Sequence, residues 1–87
     1  MKPDDSVKEG MDLTPVEVES LLMLLERGDD IPSNIAKHTD RHRKSVSRKL
    51  SDLEKRGFVK GKGGGVYALT SEGVLLAQAL RREGKTL

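Results

Sequence analysis

A mainly α domain with one small β-hairpin (α+β), in the order helix, helix, helix, hairpin, helix, is the fold this sequence predicts. Three observations predict it. Apolar residues recur at helical spacing in three successive stretches before Gly57. The period then changes to two short extended runs on either side of the glycine-rich turn Gly61 to Gly65. A last helical stretch follows Thr70.

The first helix has a sharp start. Thr14 can cap it, Pro15 suits the first helical position, and Glu17 completes a Thr-x-x-Glu capping box. Val18, Leu21, Leu22 and Leu25 form its apolar stripe, which Met23 and Leu24 widen, and Gly28 ends it before a turn at Asp29 and Asp30. That width implies burial on more than one side, by the domain core and by a partner. A short second helix spans Ile31 to Thr39, with Pro32 near its start and Ile35 and Ala36 inward. Thr39, Asp40 and Arg41 make the connecting turn. The third helix runs from about His42 to Arg56, and Val46, Leu50 and Leu53 give it a single narrow apolar seam. Gly57 stops it. Phe58 to Lys60 and Val66 to Leu69 read as the two strands, Thr70 or Ser71 as the cap of the last helix, and Gly84 as its end.

Length and composition bound the rest. The 87 residues suffice for one compact domain, with residues 1–12 as a mobile polar arm and 13–87 as the domain with its C-terminal helix. Phe58 and Tyr67 are the only aromatic residues, so the core is aliphatic and modest. The absence of cysteine removes disulfides and thiolate metal sites. Residues 1–12 contain no apolar run of the kind a secretory signal carries, and the longest apolar run, Leu21 to Leu25, is far short of a bilayer span. A soluble, cytoplasmic protein without a cofactor is expected.

The net charge of +2 conceals a strong separation of sign. Residues 1–40 carry four Lys/Arg against ten Asp/Glu, a net of −6. Residues 41–56 carry seven against two, a net of +5, and residues 57–87 five against two, a net of +3. Such separation points to a basic surface that faces a polyanion. The third helix keeps a narrow seam for the core, so Arg43, Lys44, Ser47, Arg48 and Lys49 occupy the faces left over. An α-helix fits the major groove of DNA, where Arg and Lys reach guanine edges and Ser bonds several bases. Cations on the flanks neutralise phosphates and supply affinity without sequence choice. The candidate contacts are Arg41, His42, Arg43, Lys44, Ser45, Ser47, Arg48 and Lys49 on and before that helix, with Lys60 and Lys62 bracketing the hairpin turn. Lys55 and Arg56, at the far end of the helix, are as well explained by the helix dipole.

Two short helices joined by a tight turn and followed by a glycine-rich hairpin describe a winged helix-turn-helix. The stretch IPSNIAKHTDRHRKSVSRKLSDLEKRGFVKGKGGGVYALTSEG resembles that superfamily of transcription regulators, within it the compact archaeal regulators of the halophage phi-H repressor-like group and then the MarR-like domains. The matching pieces are Ile35-Ala36, the run from Ser45 to Val59, and Tyr67 to Gly73, within a match from about Leu13 to Leu80. The resemblance implies a small DNA-binding regulator, a repressor and a homodimer, with helix 42–56 as the reader and hairpin 58–69 as the wing. Pairing through the first and last helices would set the two readers about 34 Å apart, one turn of DNA. The sequence departs from MarR-like domains in two respects: the hairpin carries Lys60, Lys62 and glycines where those wings carry an arginine, and the chain lacks the long flanking helices that form a ligand pocket.

Other classes fare worse. His38 and His42 straddle a turn without a third ligand, which makes a poor metal site. Ser45, Ser47, Ser51, Asp52 and Glu54 lie on one helix with no paired base or enclosed pocket, so no enzyme is expected. RNA modules rely on stacking aromatics, which are almost absent here. The alternative reading is a winged helix that serves as a protein-protein assembly module in a transcription or replication complex. Modules of that kind tend to lose the basic surface that residues 41–56 retain.

Overall fold

The computed structural model describes residues 13–84, and the arm expected over residues 1–12 lies outside them. The described chain is mainly helical, with four helices and a two-stranded antiparallel hairpin in the expected order.

Helix α1 (Pro15–Arg27) begins with the full capping box: the Glu17 amide donates to Thr14 Oγ1 at 3.3 Å, and the Thr14 amide donates to Glu17 Oε1 at 2.9 Å. Leu21, Leu22, Met23 and Leu24 are all buried, four consecutive positions covering most of the helix circumference. Every other helix and the second strand pack against α1, while Val18 and Leu25 of its stripe remain half-buried. Gly28, at φ +93°, ends the helix and donates its N–H to the Leu24 carbonyl at 3.1 Å.

Helix α2 (Pro32–Thr39) starts one residue later than expected, with Ile31 as its N-cap. Ile31 has no polar side chain, and the preceding Asp30 takes over part of the role. Its Oδ1 accepts the Ile31 amide at 2.8 Å and its Oδ2 accepts Asn34 Nδ2 at 2.7 Å. At the other end Asp40 adopts the left-handed conformation (φ 58°), which lets the Arg41 amide reach back to the Ala36 carbonyl at 2.9 Å. Helix α3 (Arg43–Lys55) leaves that turn with Val46, Leu50 and Leu53 wholly buried against α1, α2 and the first strand.

Strands β1 (Val59–Gly61) and β2 (Tyr67–Leu69) pair in the register Val59 with Leu69, Lys60 with Ala68 and Gly61 with Tyr67. Both begin one residue later than the sequence reading placed them. Phe58 is held by the end of α3, its amide donating to the Leu53 carbonyl at 3.0 Å, and the Val66 amide closes the turn on the Gly63 carbonyl at 3.1 Å. Gly63, Gly64 and Gly65 all have positive φ, so the glycine triplet meets a steric demand of this turn. Asp30 bridges to the outer edge of the hairpin, exchanging amide and carbonyl bonds with Tyr67 at 3.1 and 2.8 Å. That bridge ties the loop between α1 and α2 to the hairpin.

Helix α4 (Ser71–Arg82) is joined to the rest through one threonine. Thr70 Oγ1 accepts the Gly73 amide at 3.0 Å and donates to the Gly57 carbonyl at 2.6 Å, while the Thr70 amide donates to the Phe58 carbonyl at 3.0 Å. The end of α3, the base of the hairpin and the start of α4 therefore converge on Thr70. Leu76, Ala77 and Leu80 carry α4 into the same aliphatic core. Leu75 is left 66% exposed. No helix among the described residues is long and apolar enough to cross a membrane.

Gly73 permits the approach of α4. A Cβ there would lie 1.9 Å from the Phe58 carbonyl oxygen, a backbone atom that cannot rotate away. Gly73→Ala is expected to destabilise the domain by roughly 3 kcal/mol, the upper part of the usual range for overpacking, measured as a fall in the denaturant midpoint. An unchanged midpoint would show that α4 does not seat against Phe58.

Candidate nucleic-acid interface

The seam fixes the rotation of α3, and rotation decides which side chains reach solvent. With Val46, Leu50 and Leu53 inward, Arg43, Lys44, Ser45, Ser47 and Arg48 are exposed and Lys49 is half-buried. Asp52 and Glu54 lie in the second half of the helix, so the first half is cationic without an acidic neighbour in sequence.

The start of α3, like that of α2, breaks rules that α1 and α4 obey, but α3 alone adds two cations to its first turn. Both α1 and α4 have threonine caps and an acidic residue in the first turn, Glu17 and Glu72. His42 caps α3 in extended backbone (φ −71°, ψ 136°) but its side chain makes no cap hydrogen bond, and the first turn holds Arg43 and Lys44 with no acid. The partial positive charge of the helix terminus and two cations are thus gathered at one exposed place, an arrangement that attracts an anion. Beside it an open cleft of about 340 Å³ is lined by Pro32 and Ser33 of α2 and by Arg43, Lys44 and Ser47 of α3. Ser33 was not among the residues expected from sequence, and its place at the start of a proline-led helix was the only available signal.

The remaining cations are placed less freely. Arg41 makes a paired contact with Glu19 of α1, Nε to Oε1 and Nη2 to Oε2, both at 2.9 Å. Those hydrogen bonds, and then the charge of Glu19, hold the Arg41 guanidinium above its usual pKa range. In the turn after β1, Lys62 Nζ meets Asp29 Oδ2 at 2.8 Å. Lys60 is exposed on β1. At the far end of α3, Arg56 lies 5.6 Å from the Phe58 ring centroid and 4.0 Å from the buried Glu17, which turns it toward the body of the domain. Glu54 Oε2 accepts the Gly61 amide at 3.0 Å and so pins the hairpin to α3. Glu19, Asp29 and Glu54 were not singled out by sequence reasoning, because their partners lie 22, 33 and 7 residues away and no local spacing announces them.

The structure therefore brings His42, Arg43, Lys44, Ser45, Ser47 and Arg48 onto one continuous stretch of helix, with Lys49 at its border. Arg41 immediately precedes that stretch and Lys62 lies in the hairpin turn, and each is already paired.

Residues 15–86 match the family described as the HVO_A0261 N-terminal domain. The chain belongs to that family. The family description states no activity, substrate or partner, and the match to the HVO_A0261 N-terminal domain takes in all four helices and the hairpin. No match was found among the curated proteins.

The open start of α3 gives this HVO_A0261 N-terminal domain a measurable property. His42→Asp supplies the missing acceptor in a backbone already suited to a cap and sets a negative charge beside Arg43 and Lys44. It is expected to stabilise the fold by about 1 kcal/mol, raising the denaturant midpoint with an unchanged slope. A lower midpoint would mean that the terminus is capped in some other way.

Proposed function

We propose that this domain is a winged helix-turn-helix that binds double-stranded DNA in the cytoplasm and regulates transcription, as a repressor. One observation carries the reading: α3 buries Val46, Leu50 and Leu53 completely and leaves Arg43, Lys44, Ser47 and Arg48 in solvent around an uncapped helix start. In this reading α3 enters the major groove by its first two turns, with Arg43, Ser47 and Arg48 at base edges. The cleft beside Ser33 and Lys44 receives a backbone phosphate, and the hairpin carrying Lys60 lies along the neighbouring backbone. The Asp30 bridge, the Glu54 bond and the Thr70 junction support it further, because they hold the hairpin rigid relative to α3, as a second contact on the same duplex requires.

The Arg43→Ala/Arg48→Ala double variant is expected to keep the wild-type melting temperature, since both side chains lie outside the core. On a random duplex, where the two guanidinium groups rest on phosphates in place of cognate base edges, affinity should fall, and the dependence of log affinity on log salt should flatten by about 1.8, that is, about 0.9 for each phosphate no longer neutralised. Wild-type protein that ignores duplex DNA at low salt would instead favour the protein-assembly reading.

The partner in this reading is a second copy of the chain. It pairs through α1 and α4, where Val18 and Leu25 of α1 are half-buried and Leu75 of α4 is exposed. Antiparallel pairing of two α4 helices sets the acidic first turn (Glu72) against the basic last turn (Arg81 and Arg82), with the exposed Leu75 between them. Leu75→Glu is expected to convert a dimer to a monomer in sedimentation equilibrium. A monomeric wild-type protein at the same concentration would remove α4 as the interface.

A further inference from the structure

Arg41 lies just before α3 and Lys62 in the turn after β1. Each is neutralised by a carboxylate from outside α3 and the hairpin: Glu19 from α1 and Asp29 from the loop that follows it. Among the described residues Arg43, Lys44, Arg48 and Lys60 make no ion pair. The cations are therefore of two kinds, open and guarded.

We propose that Glu19 and Asp29 are internal stand-ins for phosphate that keep Arg41 and Lys62 from the DNA backbone and lower affinity for duplex irrespective of its sequence. The inference rests on the DNA-binding reading. A cation that exchanges a carboxylate for a phosphate trades one anionic partner for another and strands the carboxylate beside a polyanion. The exchange yields no net favourable term, so the pairs persist on DNA and release no counterions. Non-specific binding depends almost wholly on counterion release, whereas base contacts from α3 do not. Withholding these two cations thus lowers the sequence-independent part of binding and leaves base readout by α3 to supply a larger share of the total. Geometry favours Glu19 as the stronger guard, since both of its oxygens engage the Arg41 fork, with the Arg41 and Glu19 side chains 36% and 22% exposed. Asp29 and Lys62 meet through a single hydrogen bond, with side chains 44% and 51% exposed.

The test is fluorescence anisotropy of the full chain with a labelled random-sequence duplex between about 50 and 200 mM salt, on wild type, Glu19→Gln, Asp29→Asn and Glu26→Gln. Glu26 is an exposed acid of α1 with no ion pair among the described residues, so it controls for the removal of a negative charge alone. Glu19→Gln and Asp29→Asn are each expected to steepen the salt slope by about 0.9 and to tighten random-duplex binding roughly two- to fivefold at the lowest salt. Glu26→Gln should leave the slope unchanged. Because the Asp29 pair is half-exposed, its variant carries the test if Glu19→Gln fails to fold. Unchanged slopes in variants of a wild type that binds DNA would overturn the proposal and leave the DNA reading standing. So would an equal steepening in Glu26→Gln. Wild type that binds no duplex would end both.

Discussion

Everything in the architecture depends on how little apolar surface α3 has to bury. Three residues, Val46, Leu50 and Leu53, are all it offers the core, and all three are wholly enclosed. A seam that narrow permits one rotation of the helix, because turning it by one position would expose both leucines and bury either Glu54 or Lys49 and Asp52, whose desolvation is far too costly. The cationic face is thus outward by elimination. The other elements follow from that constraint: α1 spends a much wider apolar surface to make up the core, and α2, the hairpin and α4 are arranged around it.

The helix that carries the candidate interface is also the one in which local preferences are least satisfied. A side-chain cap is absent at its start, and its first turn holds cations where an acid would be favourable. Helix α2 also lacks a side-chain cap and a first-turn acid, but cations in the first turn are found at α3 alone among the described helices. Unsatisfied rules of this kind tend to coincide with sites where function competes with stability. The guarded cations follow a related logic. Arg41 and Lys62 contribute to the positive charge of the chain but little to its free positive potential, so counting charges along the sequence overstates the surface available to a polyanion.

Much of the fold was legible because its determinants are local. The Thr14/Glu17 box, the seam at i, i+4 and i+7, the stop at Gly57 and the Thr70 cap each lie within a single turn or heptad, and each is found in place. Arg48 was legible for the same reason, since helical phase sets it opposite the seam, whereas Arg43 lies seven residues before Leu50 on the seam's own side and reaches solvent because it stands in the first turn. What escaped the sequence is tertiary. Asp30 read as an ordinary turn residue, yet it caps α2 by its side chain and bridges to Tyr67 by its backbone. The strands start one residue late because Phe58 and Val66 are committed to neighbouring turns. Position 73 looked like any other place in a helix until the Phe58 carbonyl was found against its glycine.

The central claim is that the outward face of α3 meets DNA. Backbone amide shifts of isotopically labelled protein, recorded by nuclear magnetic resonance during titration with a short duplex at low salt, test this residue by residue. The largest changes are expected on Ser33, on residues 42–48 and on the hairpin turn, with the buried faces of α1 and α4 little affected. Changes centred on α4 and the end of α1, or no changes at all, would contradict the claim.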